Sequence, residues 1–129
     1  MIMLAAALMA ASGAAASVAE MRHQRRVLIV AAPSETDARR IAQRAALDAM
    51  PKELGDRDVT VVEVTGDTVR GAADSAAALR TRWRLPKVAF AVVLVGKDGH
   101  AALRRAEPID RTTLVATIDA MPMRRAGQR

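Results

Sequence analysis

The chain has 129 residues, a formal net charge of +6 and no cysteine. This length fits one domain and is too short for two ordinary ones. The lack of cysteine excludes disulfides, thiol catalysis, cysteine-ligated zinc and iron–sulfur clusters. Phe90 and Trp83 are the only aromatic residues, so we expect a core made of Val, Leu, Ile, Met and Ala side chains.

The first 19 residues are typical of a signal peptide. They carry no charged side chain, and the apolar run Ile2–Ala11 has the length of a signal core. Cleavage is predicted after Ser17-Val18-Ala19, with Ala14-Ala15-Ala16 as an alternative small-x-small site. No Lys or Arg precedes the run, so an uncleaved helical anchor and a wrongly assigned start remain competing interpretations. With cleavage, the mature chain would begin near Glu20 as a periplasmic or secreted protein without a membrane span.

A basic lead-in at residues 20–25 is predicted to precede a domain at residues 26–124 and a tail at residues 125–129. Val27–Ala32 is continuously apolar and predicts a strand buried on both faces. Ser34 and Asp37 after it are typical of a helix start. The helix is predicted from about Glu35 to Met50, where Pro51 ends it. Its buried stripe is predicted to consist of Ala38, Ile41, Ala42, Ala45 and Ala49, while Arg39, Arg40, Gln43 and Arg44 face solvent.

A second strand is predicted at Asp58–Val64, followed by a turn at Gly66-Asp67. Asp74 is the expected cap of a short helix that ends near Arg82. The inward positions of this helix are predicted to be Ala76, Leu79 and Trp83.

The clearest local pattern is a hairpin. Ala89–Val95 predicts a buried strand, Gly96-Lys97-Asp98-Gly99 supplies turn residues, and His100–Arg105 predicts an edge strand. Asp110 is the expected cap of a final helix that ends at Pro122. Its apolar stripe is predicted to consist of Leu114, Val115, Ile118 and Met121.

The predicted order is therefore β-α-β-α-β-β-α. The first βαβ unit requires parallel strands joined by a right-handed crossover. The hairpin adds antiparallel strands. We expect an α/β domain with a four-stranded mixed sheet and helices on both faces.

Two segments of the sequence resemble a known family. The first contains Phe90, Val95-Gly96-Lys97-Asp98-Gly99, Leu103-Arg104 and Pro108, and the second is Ile118-Asp119-Ala120-Met121-Pro122-Met123-Arg124. They resemble the bacterial family called domain of unknown function 4174. That family is similar to the repeated peroxiredoxin-like domain of a vertebrate matrix protein, coiled-coil domain-containing protein eighty. The resemblance covers roughly residues 26–124 and implies an exported thioredoxin-like domain with no established activity.

The resemblance also implies where a redox site would lie. In a thioredoxin-like fold, the reactive thiols follow the first strand, at the start of the first helix. The matching stretch here has no sulfur, and Glu35 and Asp37 stand where a thiolate needs positive potential. Redox members place a cis-proline opposite this site, at a position that corresponds to about Ala91. We therefore disfavour oxidoreductase activity and expect no cofactor and no metal, but the pocket formed by Ser34, Glu35, Asp37 and Ala91 remains the candidate site.

Ser34 is also the residue around which a hydrolase could be built. A serine nucleophile needs a base, and nothing in the sequence places His23 or His100 near it. A capping role for Ser34 is the simpler interpretation, and first-turn acids explain Glu35 and Asp37 better than a cation site does. A hydrolase remains an alternative to a non-enzymatic module.

Basic residues occur in clusters along the chain. A nucleic-acid reader would add stacking aromatics, which are scarce here, so we expect no nucleic-acid partner. A solvated basic surface is the default interpretation. If the clusters bind a partner, an acidic protein or an anionic envelope component is expected. The function predicted from the sequence is an exported, non-redox binding or accessory module.

Overall fold

The structure is a computed structural model that describes residues 16–128. Most of the predicted leader therefore lies outside the described residues. A short 3-10 helix, Ala19–Met21, precedes the first strand. The strands are β1 (Arg26–Ala32), β2 (Val59–Thr65), β3 (Thr68–Arg70), β4 (Ala91–Val95) and β5 (Ala101–Arg105). The helices are α1 (Ala38–Asp48), α2 (Pro51–Asp56), α3 (Ala76–Trp83), α4 (Arg111–Asp119) and α5 (Pro122–Arg125).

The strands form one mixed sheet in the order β3-β2-β1-β4-β5. The first two strands are parallel, and the other neighbouring pairs are antiparallel. The α/β class is confirmed, and the sheet has one strand more than the four predicted. The extra strand is β3, which folds back on β2 through the Gly66 turn, where the glycine has a φ of +57°. The strand order is consistent with the thioredoxin-like resemblance.

Strand β1 lies at the centre of the sheet, and all seven of its residues are buried. Its side chains alternate between two apolar cores because successive residues of a strand point to opposite faces. Helix α3 covers one face with Leu79 and Trp83. Helices α1 and α4 cover the other face with Leu47, Leu114 and Ile118. The predicted inward positions of α3 are confirmed.

The predicted buried stripe of α1 is wrong. Its members are exposed, including Ile41 at 52%, whereas Gln43 has no exposed surface. The side-chain nitrogen of Gln43 donates to the backbone carbonyl of Ile109 at 3.0 Å. The side-chain oxygen of Gln43 accepts from the backbone amide of Ile109 at 2.8 Å. Half-buried Arg40 on the same side lies 3.4 Å from the buried carboxylate of Glu63 on β2. Polar partners set the rotation of this helix because alanine side chains contribute little apolar area.

The start of each longer helix is fixed by a side-chain cap. Asp37, rather than Ser34, caps α1 by accepting from the amides two and three residues further on. Ser75, rather than Asp74, caps α3. The predicted cap of α4, Asp110, is confirmed.

Two prolines begin helices where the sequence was expected to end them. Pro51 is the first residue of α2, and Pro122 is the first residue of α5. The first helical position suits proline because its missing N–H would have no partner within the helix.

Candidate functional site

The residues of the predicted pocket lie at the carboxyl end of β1. Ser34 is exposed, and its hydroxyl lies 3.2 Å from the hydroxyl of Thr36. No histidine bonds to it within the described part of the chain. Asp37 is occupied as the cap of α1.

The other two residues of that pocket also have structural roles. Glu35 accepts a hydrogen bond from Arg70 on β3 at 2.9 Å. Ala91 begins β4, is buried and pairs with Ala31 across the sheet. The structure therefore places the four residues near the same end of the sheet, where Glu35, Asp37 and Ala91 are engaged in structural contacts.

Two cavities occur instead at the opposite end of the sheet, where β1 begins and β4 ends. They flank the segment Gly96-Lys97-Asp98-Gly99, here called the GKDG turn. Gly99 has a φ of +85°, which favours glycine. Its amide donates to the carbonyl of Gly96 at 3.0 Å, and the carboxylate of Asp98 accepts from the amide of His100 at 3.0 Å. These bonds give the turn a defined shape.

Lys97 fixes this turn to the rest of the domain. Its side chain is 7% exposed, and its ammonium lies 2.8 Å from a carboxylate oxygen of Asp58. Its carbonyl accepts a hydrogen bond from the amide of His23 at 2.7 Å. The GKDG turn is therefore joined both to the start of β2 and to the segment before β1.

The first cavity, here called the basic cavity, has a volume of about 300 Å³. It lies between the 3-10 helix, α3 and the GKDG turn. The apolar part of its wall consists of Val18, Ala19, Val27, Leu79, Trp83 and Val95. The ionisable part consists of Arg22, Arg25, Arg82, His100, Asp74 and Asp98.

The two carboxylates of this wall are already engaged with backbone amides. Asp74 accepts a hydrogen bond from the amide of Val18 at 2.8 Å, and Asp98 accepts from the amide of His100. Arg25 is also engaged, because its guanidinium donates to the hydroxyl of Thr60 at 2.9 Å.

Three basic side chains of the wall have no such partner. Within the described part of the chain, the side chains of Arg22, Arg82 and His100 form no hydrogen bond and no ion pair. The guanidinium of Arg82 lies over the ring of Trp83, 4.1 Å from the ring centre. Arg22 crosses Gly99, where an added Cβ would lie 3.0 Å from the Arg22 Nε. The basic cavity therefore presents unpaired positive charge beside an aromatic and aliphatic wall.

The second cavity, here called the methionine cavity, has a volume of about 280 Å³ and contacts Met121, Pro122 and Met123. Arg26 in its wall is 1% exposed. This guanidinium donates to the carbonyl of Arg57 at 2.7 Å and to the sulfur of Met121 at 3.3 Å. Burial lowers the pKa of Arg26, and the nearby charge of Arg124 adds to this effect. The guanidinium of Arg26 is therefore engaged by groups inside the protein, which indicates a structural role for this arginine and not a binding role.

Both segments that carry the family resemblance contribute to the methionine cavity, through residues 96–98 and 121–123. The basic cavity shares only the first of them. Residues Arg22, Val18 and Ala19 were missed as site residues because they fall in the predicted leader and lead-in. Arg82 lies near the end of a predicted helix and His100 begins a predicted edge strand, and nothing in their local spacing places them together.

No group of three or more His, Asp or Glu side chains suited to a metal ion occurs among residues 16–128. In the same residues, no helix has the length and hydropathy needed to span a membrane.

The fold and these cavities define an α/β domain built on a mixed five-stranded sheet. The chain belongs to the family described as domain of unknown function (DUF4174), whose model matches residues 17–127. The family resemblance is thus confirmed, and the match begins ahead of the domain start predicted at residue 26. Comparisons with curated proteins and with solved structures gave no significant match.

Proposed function

We propose that the protein is an exported binding module that holds a small organic anion in the basic cavity. The observation that carries this proposal is the set of three basic side chains, Arg22, Arg82 and His100, which line the cavity without a polar partner among the described residues. Unpaired basic groups beside an apolar wall attract a ligand that brings its own negative charge.

The wall indicates the chemical class of the ligand. Arginine binds carboxylate and phosphate groups through paired N–H donors. The apolar side chains of Val27, Leu79 and Val95 suit a hydrocarbon body. A cavity of about 300 Å³ is at the small end of the range for ligand pockets. The expected ligand therefore combines one anionic group with a short apolar portion.

A binding role is favoured over catalysis by the composition of the wall. Its described residues include no Ser, Thr, Cys or Lys that could serve as a nucleophile, and both carboxylates already accept backbone hydrogen bonds. The alternative hydrolase at Ser34 lacks a base, because among the described residues no histidine bonds to the Ser34 hydroxyl, which lies beside that of Thr36. Export is supported by the leader-like composition of the first 19 residues.

Trp83 provides a direct test because it is the only tryptophan in the chain. We expect hexanoate to change its fluorescence with saturation, whereas the uncharged hexanamide binds much more weakly. Inorganic phosphate tests whether an anionic group binds without an attached apolar portion. Stronger binding of phosphate than of hexanoate would contradict the proposed ligand class.

Charge-neutralising variants test the site. Arg22→Gln combined with Arg82→Gln is expected to weaken hexanoate binding at least about tenfold, measured by calorimetry because Arg82→Gln also alters the surroundings of Trp83. The matched control is Lys87→Gln with Arg125→Gln, which removes the same charge from exposed residues outside the cavity. An equal loss of affinity in both double variants would contradict the proposed site, because it would show that hexanoate responds only to the total surface charge.

A further inference from the structure

We propose that export processing hydrolyses the Ala16–Ser17 peptide bond, so that the mature chain begins at Ser17 and not at Glu20. This inference rests on the proposed export. The two sites differ in whether Ser17, Val18 and Ala19 stay with the folded protein. The described contacts of these three residues decide between the sites.

Val18 is part of the folded domain. Its side chain is 7% exposed and belongs to the same apolar core as Met21, Leu79 and Trp83. Its amide donates to the carboxylate of Asp74 at 2.8 Å. Cleavage before Glu20 would remove this side chain from the core and leave the Asp74 carboxylate without its amide partner.

The basic cavity gives a second reason to retain these residues. Val18 and Ala19 both line it. A chain that began at Glu20 would lack this part of the wall and would have its new ammonium group close to Arg22. A chain that begins at Ser17 keeps the wall complete.

The segment Ser17-Val18-Ala19-Glu20, which fits a cleavage pattern in the sequence, forms a capping box in the structure. The Ser17 hydroxyl accepts from the amide of Glu20 at 3.2 Å, and the Glu20 carboxylate accepts from the Ser17 nitrogen at 2.8 Å. The hydrogen bond from the Ser17 backbone nitrogen to the carboxylate lowers the pKa of Glu20 below its ordinary value. Cleavage ahead of Ser17 would turn this nitrogen into an ammonium that faces a carboxylate, which strengthens the contact.

The chemistry is an ordinary peptide hydrolysis by a peptidase of the signal-peptidase class. One water is consumed, the leader leaves with a carboxylate on Ala16, and Ser17 gains the amino group. Ala14 and Ala16 supply the small residues that such a peptidase requires on the leader side. The carbonyl of Ala16 accepts from the amide of Ala73 at 3.0 Å, and water can replace it because Ala73 is exposed.

The test is the mass and N-terminal sequence of the full chain after expression in a bacterium that exports it. The expected mature form begins at Ser17. A form that begins at Glu20 would overturn this inference and leave the proposed export intact. A chain that keeps its leader would overturn this inference, and recovery of that chain in the cytoplasm would overturn the proposed export as well.

Two matched substitutions sharpen the result. Ala16→Leu places a bulky residue next to the proposed bond and is expected to abolish formation of the Ser17 form. Ala19→Leu makes the same change at the alternative site and is expected to leave processing unchanged. The reverse pattern, with processing blocked by Ala19→Leu alone, would show that the bond before Glu20 is the one cut.

Discussion

The ammonium of Lys97 lies 2.8 Å from the carboxylate of Asp58, and the two side chains are 7% and 16% exposed. The pair joins the GKDG turn to the residue that precedes β2, across 39 positions of the chain. The GKDG turn lines both the basic cavity and the methionine cavity, so this pair also holds in place the segment that lies between the two cavities. Lys97, which the sequence places in a turn, is therefore part of the interior.

Removal of the Lys97 charge should destabilise the domain. Lys97→Met removes an ammonium that lies 2.8 Å from a carboxylate oxygen of the largely buried Asp58, so we expect a loss of about 2 kcal/mol in the free energy of unfolding. Lys52→Met is the matched control, because Lys52 pairs with Asp56 on the surface at 3.4 Å. That change should cost less than about 0.5 kcal/mol. Urea unfolding measures both, and equal losses would contradict a buried role for the Lys97 pair.

Gly99 should be required both for the turn and for the position of Arg22. Gly99→Ala places a side chain at a φ of +85° and 3.0 Å from the Arg22 Nε, so we expect a loss of at least about 1 kcal/mol and weaker binding of hexanoate. Gly55→Ala is the control, because a Cβ there has no heavy atom within 4 Å. Thermal unfolding should show no loss for the control, and a similar loss in both variants would argue against strain at Gly99.

Gln43 should contribute more to stability than its residue type suggests. Gln43→Ala removes both hydrogen bonds to Ile109 and leaves a buried amide and carbonyl unpaired, which should cost about 1–3 kcal/mol. Gln24→Ala changes an exposed glutamine and should have little effect on the denaturant midpoint. If the two variants unfold alike, the Gln43 bonds are not holding α1 in its observed rotation.

Four of the five strands could be predicted because their patterns are local, whereas the three-residue β3 was missed. The continuous apolar run of β1 predicts its burial on both faces, and the turn between β4 and β5 has its own glycine and aspartate residues. The face of α1 could not be predicted in this way. Its apolar positions are mostly alanines, and the contacts that set its rotation come from Ile109 and Glu63, which are distant in the chain.

The site was harder to predict than the fold for the same reason. Arg22, Arg82 and His100 come from three separate segments, and none has a neighbour that marks it as a binding residue. The thioredoxin-like resemblance directed attention to Ser34 and Ala91, at the other end of β1. Only tertiary structure shows that the cavities lie where β1 begins.

Val18 should behave as a core residue, although the sequence places it in a leader. Val18→Ala removes buried methyl groups and is expected to lower the free energy of unfolding by about 1–2 kcal/mol. Val88→Ala is the matched control, because Val88 is 89% exposed, and it should change stability by less than about 0.5 kcal/mol. If chemical unfolding of the exported protein shows no difference between the two variants, Val18 is not part of the folded mature chain.

Acid should weaken the contact between α4 and the loop before β2. Asp119 accepts two hydrogen bonds from the Arg57 guanidinium, at 3.0 and 3.1 Å, and one from Arg124 at 3.2 Å. The Arg57 bonds hold the pKa of Asp119 below its ordinary value of 3.8. A carboxylate with a lowered pKa contributes its full stabilisation when the pH is above the ordinary pKa, and this contribution is lost as the pH falls through the pKa of the folded state.

We therefore expect Asp119→Asn to be less stable than the parent protein near neutral pH and the difference to shrink below about pH 4. Asp67→Asn is the matched control because Asp67 is an exposed turn residue. The difference between its denaturant midpoint and that of the parent protein should stay constant across the same pH range. A gap between Asp119→Asn and the parent that stays constant through the acid range would show that the Arg57 contact does not act through this carboxylate.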